Sequence, residues 1–204
     1  MNISAVKGIT GSNTFVLENN GSVIIIDAGA RLRDVERVLG DRRPCGILLT
    51  HEHFDHIYHL ADYRAAFADC AVYCHPAVCT EVGGGTALAD GQVLNIGNFE
   101  IKAIFAPGHS AGSVVYLVSL RGAFCATKAD KAISNGPTKQ VQLFAGDVLF
   151  RGTIGRTDLM PNGEQLMQLS LRKLQTIKFE NSHHGHGKDC TFAEQAENIR
   201  RFVE

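Results

Sequence analysis

The chain has 204 residues, 45% of them hydrophobic and 20% charged, with a formal net charge of −1. Those values fit one globular domain with room for a substantial core, and they exclude the basic field that draws in nucleic acid or an anionic membrane surface. No run approaches the ~20 apolar residues that span a bilayer. The opening "MNISAVKGITGSNTFVL" lacks the charged head and long apolar stretch of a signal peptide; a cytoplasmic protein acting on a small molecule is expected.

Apolar alternation and short β-rich runs predict strands near residues 2–7, 13–19, 22–27 and 44–50. Before the last of these, "RLRDVERVL" sets Leu32, Val35 and Leu39 on one helical stripe. Further strands are predicted near 71–74, 92–96, 98–106, 113–120 and 141–146. "GEQLMQLSLRKLQTI" aligns Met167, Leu171, Leu174 and Ile177, and the last helix opens on a capping box of Thr191 and Glu194. That helix is expected to bury Phe192, Ala196, Ile199 and Val203. Two β-then-α halves in succession predict an α/β four-layer αββα sandwich, two sheets packed face to face with helices outside, as a single domain over 1–204. The irregular stretch 121–140, rich in Gly, Pro, Asn and charge, reads as a surface excursion. Six cysteines show no finger spacing, so reduced thiols packed as small hydrophobes are expected.

The stretch "ILLTHEHFDHIYHL" carries the chemistry. A buried-looking strand, Ile47 to Thr50, runs straight into His51, His53, Asp55, His56 and His59. If the chain leaves the strand extended, His51, His53 and Asp55 face one side, and His56 follows where a helix begins. Imidazoles and a carboxylate so close suit a cation such as Zn²⁺, which takes nitrogen and oxygen ligands, usually four. Four side chains this near in sequence crowd a single ion, and dividing them between two neighbouring ions relieves the strain. Further donors stand at strand ends: His109 in "APGHSAGS", Asp147 in "FAGD" and His186 in "HHGHG". An Asp with two oxygens can bridge two metals, and glycines beside His186 let the backbone approach closely.

"THEHFDH", "APGHSAGS", "FAGD" and "GHG" together resemble the metal motifs of the metallo-β-lactamase superfamily, and "GDVLFRGTIGRTDL" resembles its small bacterial glyoxalase II-type (hydroxyacylglutathione hydrolase-like) members. The resemblance runs in order along nearly the whole chain. It implies one metal on His51, His53 and His109, a second on Asp55, His56 and His186, and Asp147 bridging them: two Zn²⁺, in positions that Fe²⁺ or Mn²⁺ also accept. It implies that Arg156 in "IGRTD" meets the glutathione moiety, the competing reading being an ion pair with Asp158. Asp27 in "IDAG" is similar to a family residue that supports the site, while His183 and His184 lie off the motif, as supporting or surface residues. Tyr58-His59 replaces a common Gly-Gly, His59 reading as a solvated helix residue, and the residue before Gly-His-Gly is not the usual Pro. The chain ends one helix after the last ligand, without the helical extension that closes on glutathione in glyoxalase II proteins, so a more open pocket is expected.

Metal lowers the pKa of water from ~15.7 to about 7, and the cluster keeps net positive charge to stabilise an oxyanion. The implied reaction is attack of a metal-bridging hydroxide on an acyl carbon, with a thioester, acylglutathione first, as substrate and Asp55 and Asp147 as catalytic carboxylates. A mononuclear Fe²⁺ persulfide dioxygenase using His51, His109 and Asp147 shares the fold and "GRTD" and is the closest alternative; a metal-binding module without turnover is a third. No Gly-x-Ser-x-Gly elbow is present.

Overall fold

The computed structural model describes residues 1–121 and 141–203; the excursion expected near 121–140 falls, apart from Arg121, outside the described residues. Strands β1 (Asn2–Lys7), β2 (Asn13–Asn19), β3 (Ser22–Ile26), β4 (Gly46–Leu48), β5 (Val72–Cys74) and β6 (Thr86–Ala87) form one sheet in sequence order. Its first pairings are antiparallel and those from β3 onward parallel. The second sheet has the order β14-β13-β10-β9-β8-β7, from β7 (Val93–Ile96), β8 (Phe99–Phe105), β9 (Val114–Leu120), β10 (Gln142–Phe144), β13 (Asn181–His183) and β14 (Cys190–Thr191). It is antiparallel except where β10 meets β13. A short hairpin, β11 (Leu149–Phe150) with β12 (Thr153–Ile154), stands apart.

The period-2 alternation of the strands sorts their side chains into separate cores. Phe15, Leu17, Ile24, Ile26 and Leu48 face Ile101, Ala103, Tyr116, Val118 and Phe144 between the sheets. Their neighbours Val16, Val23, Ile25, Ile47 and Leu49 point the other way. These pack on Val35 and Leu39 of α1 (Leu32–Leu39), Leu60 and Tyr63 of α3 (Leu60–Ala66), and Val78 of α4 (Pro76–Glu81). On the far side Ile104, Val115, Leu117 and Leu143 meet Met167, Leu171 and Leu174 of α5 (Gly163–Leu174) and Ile199 of α6 (Phe192–Val203). These are the four layers that the alternation predicts. The capping box forms as expected: Glu194 accepts from the Thr191 amide at 2.8 Å, and Thr191 accepts from the Glu194 amide at 3.4 Å.

The cysteines depart from expectation. Cys74, ending β5, and Cys79 of α4 are joined as a disulfide, their Cα atoms 5.8 Å apart, within the range a bridge requires. The turn that starts α4 at Pro76 folds the helix back over the strand end and brings the two together. Cys45 is exposed, so it is not a packed hydrophobe, whereas Cys190 is buried as expected. No helix among the described residues is long and apolar enough to cross a membrane.

Candidate metal centre

The candidate ligands leave the ends of several strands along one edge of the sandwich. His51 and His53 follow β4, and Asp55 and His56 sit in the single turn α2 (Phe54–Ile57). His109 follows β8, Asp147 follows β10, and His186 follows β13. Parallel neighbours β3 and β4 end together, so Asp27 lies beside the start of the histidine run. All seven candidates converge in three overlapping groups. His51, His53 and His109 form one; Asp55, His56 and His186 another; His51, His56 and Asp147 lie between, each group with its ligand atoms within 4.8 Å of one another.

Hydrogen bonds on the outer side of the rings fix which nitrogen faces inward. Asp27, 1% exposed, accepts from the Thr50 amide at 2.8 Å and from the Thr50 hydroxyl at 2.8 Å. With its proton given to Asp27, the Thr50 oxygen accepts from Nδ1–H of His51 at 3.0 Å. His56 Nδ1–H donates to Asp27 at 2.7 Å, and His109 Nδ1–H donates to the Arg156 carbonyl at 3.1 Å. The Nε2 atoms of all three rings are thereby turned toward the cluster, as metal-ligating imidazoles require. Those of His51 and His56, and Asp147 Oδ1, are buried with no hydrogen-bond partner among the described residues. Buried polar atoms left in this state are costly unless something binds them. A divalent cation is the group that fits.

Electrostatics agree. Burial pushes the His51 pKa well below its usual range, and the neighbouring His56 and His109 push it further, which leaves the ring neutral and able to donate a lone pair. Burial also lowers the His109 pKa. For His56, burial opposes charge, but the carboxylates of Asp27 and Asp147 raise the pKa to about 10. Its Nε2 lies 3.3 Å from Asp147 Oδ1 without making a hydrogen bond to it. The His186 ring, 2.9 Å from Asp55 Oδ2, holds that carboxyl far below its usual range. Gly185 lets this loop in: a Cβ there would lie 2.0 Å from Asp147 Oδ1.

Around the mouth, Phe54 and Tyr58 are exposed and ring-to-ring at 4.7 Å. A cavity of about 400 Å³ opens beside His186, lined by Phe150, Arg151, Gly187 and Lys188. Arg156 makes a bidentate pair with Asp158, at 2.8 and 2.6 Å, on the open surface, so the competing reading of that arginine is realised. His59 is not solvated as expected: its side chain is 16% exposed and pairs with Asp62 at 2.9 Å. His183 and His184 are both buried. His183 bonds Asp189 and Gln142, and His184 donates to the Lys188 carbonyl at 2.9 Å, closing the loop that carries His186. Thr50 and the Phe150–Lys188 cavity are among the features of the candidate site that sequence reasoning missed; for Thr50, its place just before "HEHFDH" is the one available signal.

The family model for the metallo-beta-lactamase superfamily matches residues 8–122. The chain is 33% identical to the probable metallo-hydrolase YqgX of Bacillus subtilis, across 81% of this chain and 80% of that protein. It is 28% identical to the hydroxyacylglutathione hydrolase of Klebsiella pneumoniae, across 88% of this chain and 63% of that one. Among solved structures, BLEG-1 B3 metallo-beta-lactamase superposes over the whole of both chains with a TM-score of 0.79 and 26% identity. Motif, fold and donor cluster coincide with a family match over more than half the sequence, and the chain belongs to the metallo-beta-lactamase superfamily.

Proposed function

We propose that the protein is a binuclear metallohydrolase that cleaves thioesters, with acylglutathione the favoured class. The carrying observation is that the donor atoms fall into two end groups with Asp147 between them, its two oxygens 3.3 Å from His56 and 3.6 Å from both His109 and His186. On this reading His51, His53 and His109 hold one Zn²⁺, Asp55, His56 and His186 the other, and Asp147 bridges. When bound, the two ions supply Lewis acidity and an activated solvent nucleophile at neutral pH.

The chain's own groups do the rest. Asp55 stays ionised beside His186 and accepts a hydrogen bond from the attacking solvent molecule, which orients it. Asp27 and Thr50 keep His51 and His56 in one tautomer each through the cycle. Arg156 sits on the open surface, where a guanidinium can exchange Asp158 for an anionic substrate arm; Lys188 and Arg151 line the cavity beside His186 and offer further cations to carboxylates. The relative named as a hydroxyacylglutathione hydrolase supports this substrate class, and a cytoplasmic site of action is part of the proposal.

The test is turnover of S-lactoylglutathione against a panel of thioesters and a β-lactam, with metal content measured on the same sample. Hydrolysis with two ions per chain is expected. Asp147→Ala is expected to hold one ion or fewer and to lose hydrolysis; full occupancy in that variant contradicts the bridge. One iron per chain with sulfide-dependent oxygen uptake would replace this reading by the dioxygenase one.

A further inference from the structure

The loop joining β1 to β2, "GITGS" at residues 8–12, carries an unexpected backbone. Thr10 has φ 60 and ψ 8, inside a single 3₁₀ turn over Ile9–Gly11. A β-branched residue in the left-handed region is sterically disfavoured, and glycine would sit there at lower cost. Glycine flanks it at Gly11, with φ 82, so the turn does not lack glycine; the threonine is what stands out. Strain of this kind persists where surrounding structure enforces it, and it concentrates at functional sites.

What the threonine adds over glycine is a hydroxyl, and that hydroxyl reaches the metal cluster. Thr10 Oγ1 lies 3.1 Å from Asp55 Oδ2 and 2.6 Å from the Ile9 carbonyl. Its single proton has two acceptors, and the ionised carboxylate is the stronger. The same loop grips the Asp55 backbone: Ser12 Oγ donates to the Asp55 carbonyl at 2.7 Å. Asn13, the first residue of β2 directly after it, holds the loop of His186: its amide donates to the Gly185 carbonyl at 2.7 Å and its side chain to the His184 carbonyl at 2.8 Å. Asp55 and His186, 2.9 Å apart, are thus fastened by this loop and the strand residue that follows it. Thr10 is the part of it that touches a ligand atom.

We infer that Thr10 is a positioning residue whose hydroxyl, presented by a strained backbone, fixes the rotamer of Asp55 and with it the second cation position. The inference rests on Asp55 being a ligand, as proposed above. Thr10 touches no reacting atom; it acts through Asp55.

The experiment compares wild type with Thr10→Gly, Thr10→Val and Thr10→Ser. Zn²⁺ affinity is measured by chelator competition, the unfolding midpoint on metal-free protein, and kcat and KM on S-lactoylglutathione. Thr10→Gly and Thr10→Val are expected to bind the weaker Zn²⁺ about tenfold less tightly, the usual effect of losing a hydrogen bond to a ligating carboxylate. Thr10→Ser is expected to stay within about twofold of wild type, because the hydroxyl is restored. The metal-free midpoint of Thr10→Gly is expected to match or exceed that of wild type, since glycine relieves the strain. kcat is expected to fall with Zn²⁺ affinity while KM holds. Wild-type Zn²⁺ affinity in Thr10→Gly, equal losses in Thr10→Ser and Thr10→Gly, or a lowered midpoint in Thr10→Gly would each overturn the inference. If wild type hydrolyses no thioester but the Zn²⁺ series behaves as described, the role of Thr10 stands and the substrate assignment falls.

Discussion

Asp27→Asn separates hydrogen bonding from every other property of that position. Asp27 has φ 64, and Asn tolerates the left-handed region as readily as Asp, so the backbone is not disturbed and side-chain volume is kept. What changes is acceptor capacity. The carboxylate takes three hydrogen bonds while 1% exposed; the amide has one oxygen and turns an N–H toward either the Thr50 hydroxyl or His56 Nδ1–H. Hydrogen bonds to a charged group contribute roughly 1.5–3 kcal/mol each, and a buried donor left unpaired costs about 1–3 kcal/mol. One bond to the Thr50 amide survives, and Thr50 can rotate to recover part of the second. A net loss of about 2–4 kcal/mol is expected on metal-free protein. Urea unfolding at neutral pH measures it, and an unchanged slope certifies that the unfolding reaction is the same. The loss should be accompanied by weakened Zn²⁺ binding, because His56 and, through Thr50, His51 lose the tether that turns Nε2 inward. A variant within about 0.5 kcal/mol of wild type with full metal content would refute the tethering argument.

Other outcomes follow from the same geometry. Arg156→Ala removes an exposed pair, so the unfolding midpoint should hold while KM for an acylglutathione rises several-fold; an unchanged KM would remove Arg156 from the substrate. Gly185→Ala forces a methyl against Asp147 Oδ1 and should abolish binding of at least one metal ion while circular dichroism stays native; full metal content would contradict it. In native protein at pH 8 a thiol reagent should label exposed Cys45 rapidly and Cys190 slowly, since burial removes access and raises the Cys190 pKa to about 11, and the peptide spanning Cys74 and Cys79 should be two hydrogens lighter before reduction than after it. Metal removal by a chelator should lower the unfolding midpoint without loss of secondary structure, because the inter-sheet and helix-facing cores contain none of the ligands; a chelated chain that unfolds at room temperature would place the metal among the determinants of the fold.

The layers were legible because strand alternation is local. Residues 13–19 and 22–26 each assign their own odd and even side chains to one core or another, and the heptad-like stripes of α1 and α5 need no partner to be read. The two-residue strands β6, β11, β12 and β14 could not be read this way. A pair of residues has no period, and their strand character comes from the chain beside them. α6 shows the same limit from another side. Its start follows from a capping box, yet Gln195 and Asn198 are buried in it, and the groups that meet a buried polar side chain come from elsewhere in the fold. Asn198 donates to the carbonyls of Phe150 and Thr153 at 3.0 and 2.9 Å, contacts made some 45 residues away in the chain. The Cys74–Cys79 link is of this kind too, since spacing alone does not fix connectivity.

The candidate ligands could be read from the sequence for the opposite reason. A metal site concentrates rare residue types at strand ends, and no core arrangement explains so many imidazoles. The residues that aim those imidazoles have no such signature, because what they contribute is a hydrogen bond to the nitrogen that faces away. Thr50 and the Arg156 carbonyl, each touching a ring, and Thr10, touching the Asp55 carboxylate, are ordinary in composition and become informative only when the ligand they touch is placed. Thr50 relates two ligands at once: its hydroxyl gives its proton to Asp27 and receives one from His51, while Asp27 receives another from His56. A change at either end of that relay alters both rings, so substitutions at Thr50 and Asp27 should be strongly non-additive. Thr50→Val leaves the Asp27 carboxylate facing a methyl group and His51 Nδ1–H without an acceptor. A double variant with Asp27→Asn should bind Zn²⁺ little worse than the weaker of the two singles, whereas independent tethers would make the two losses multiply.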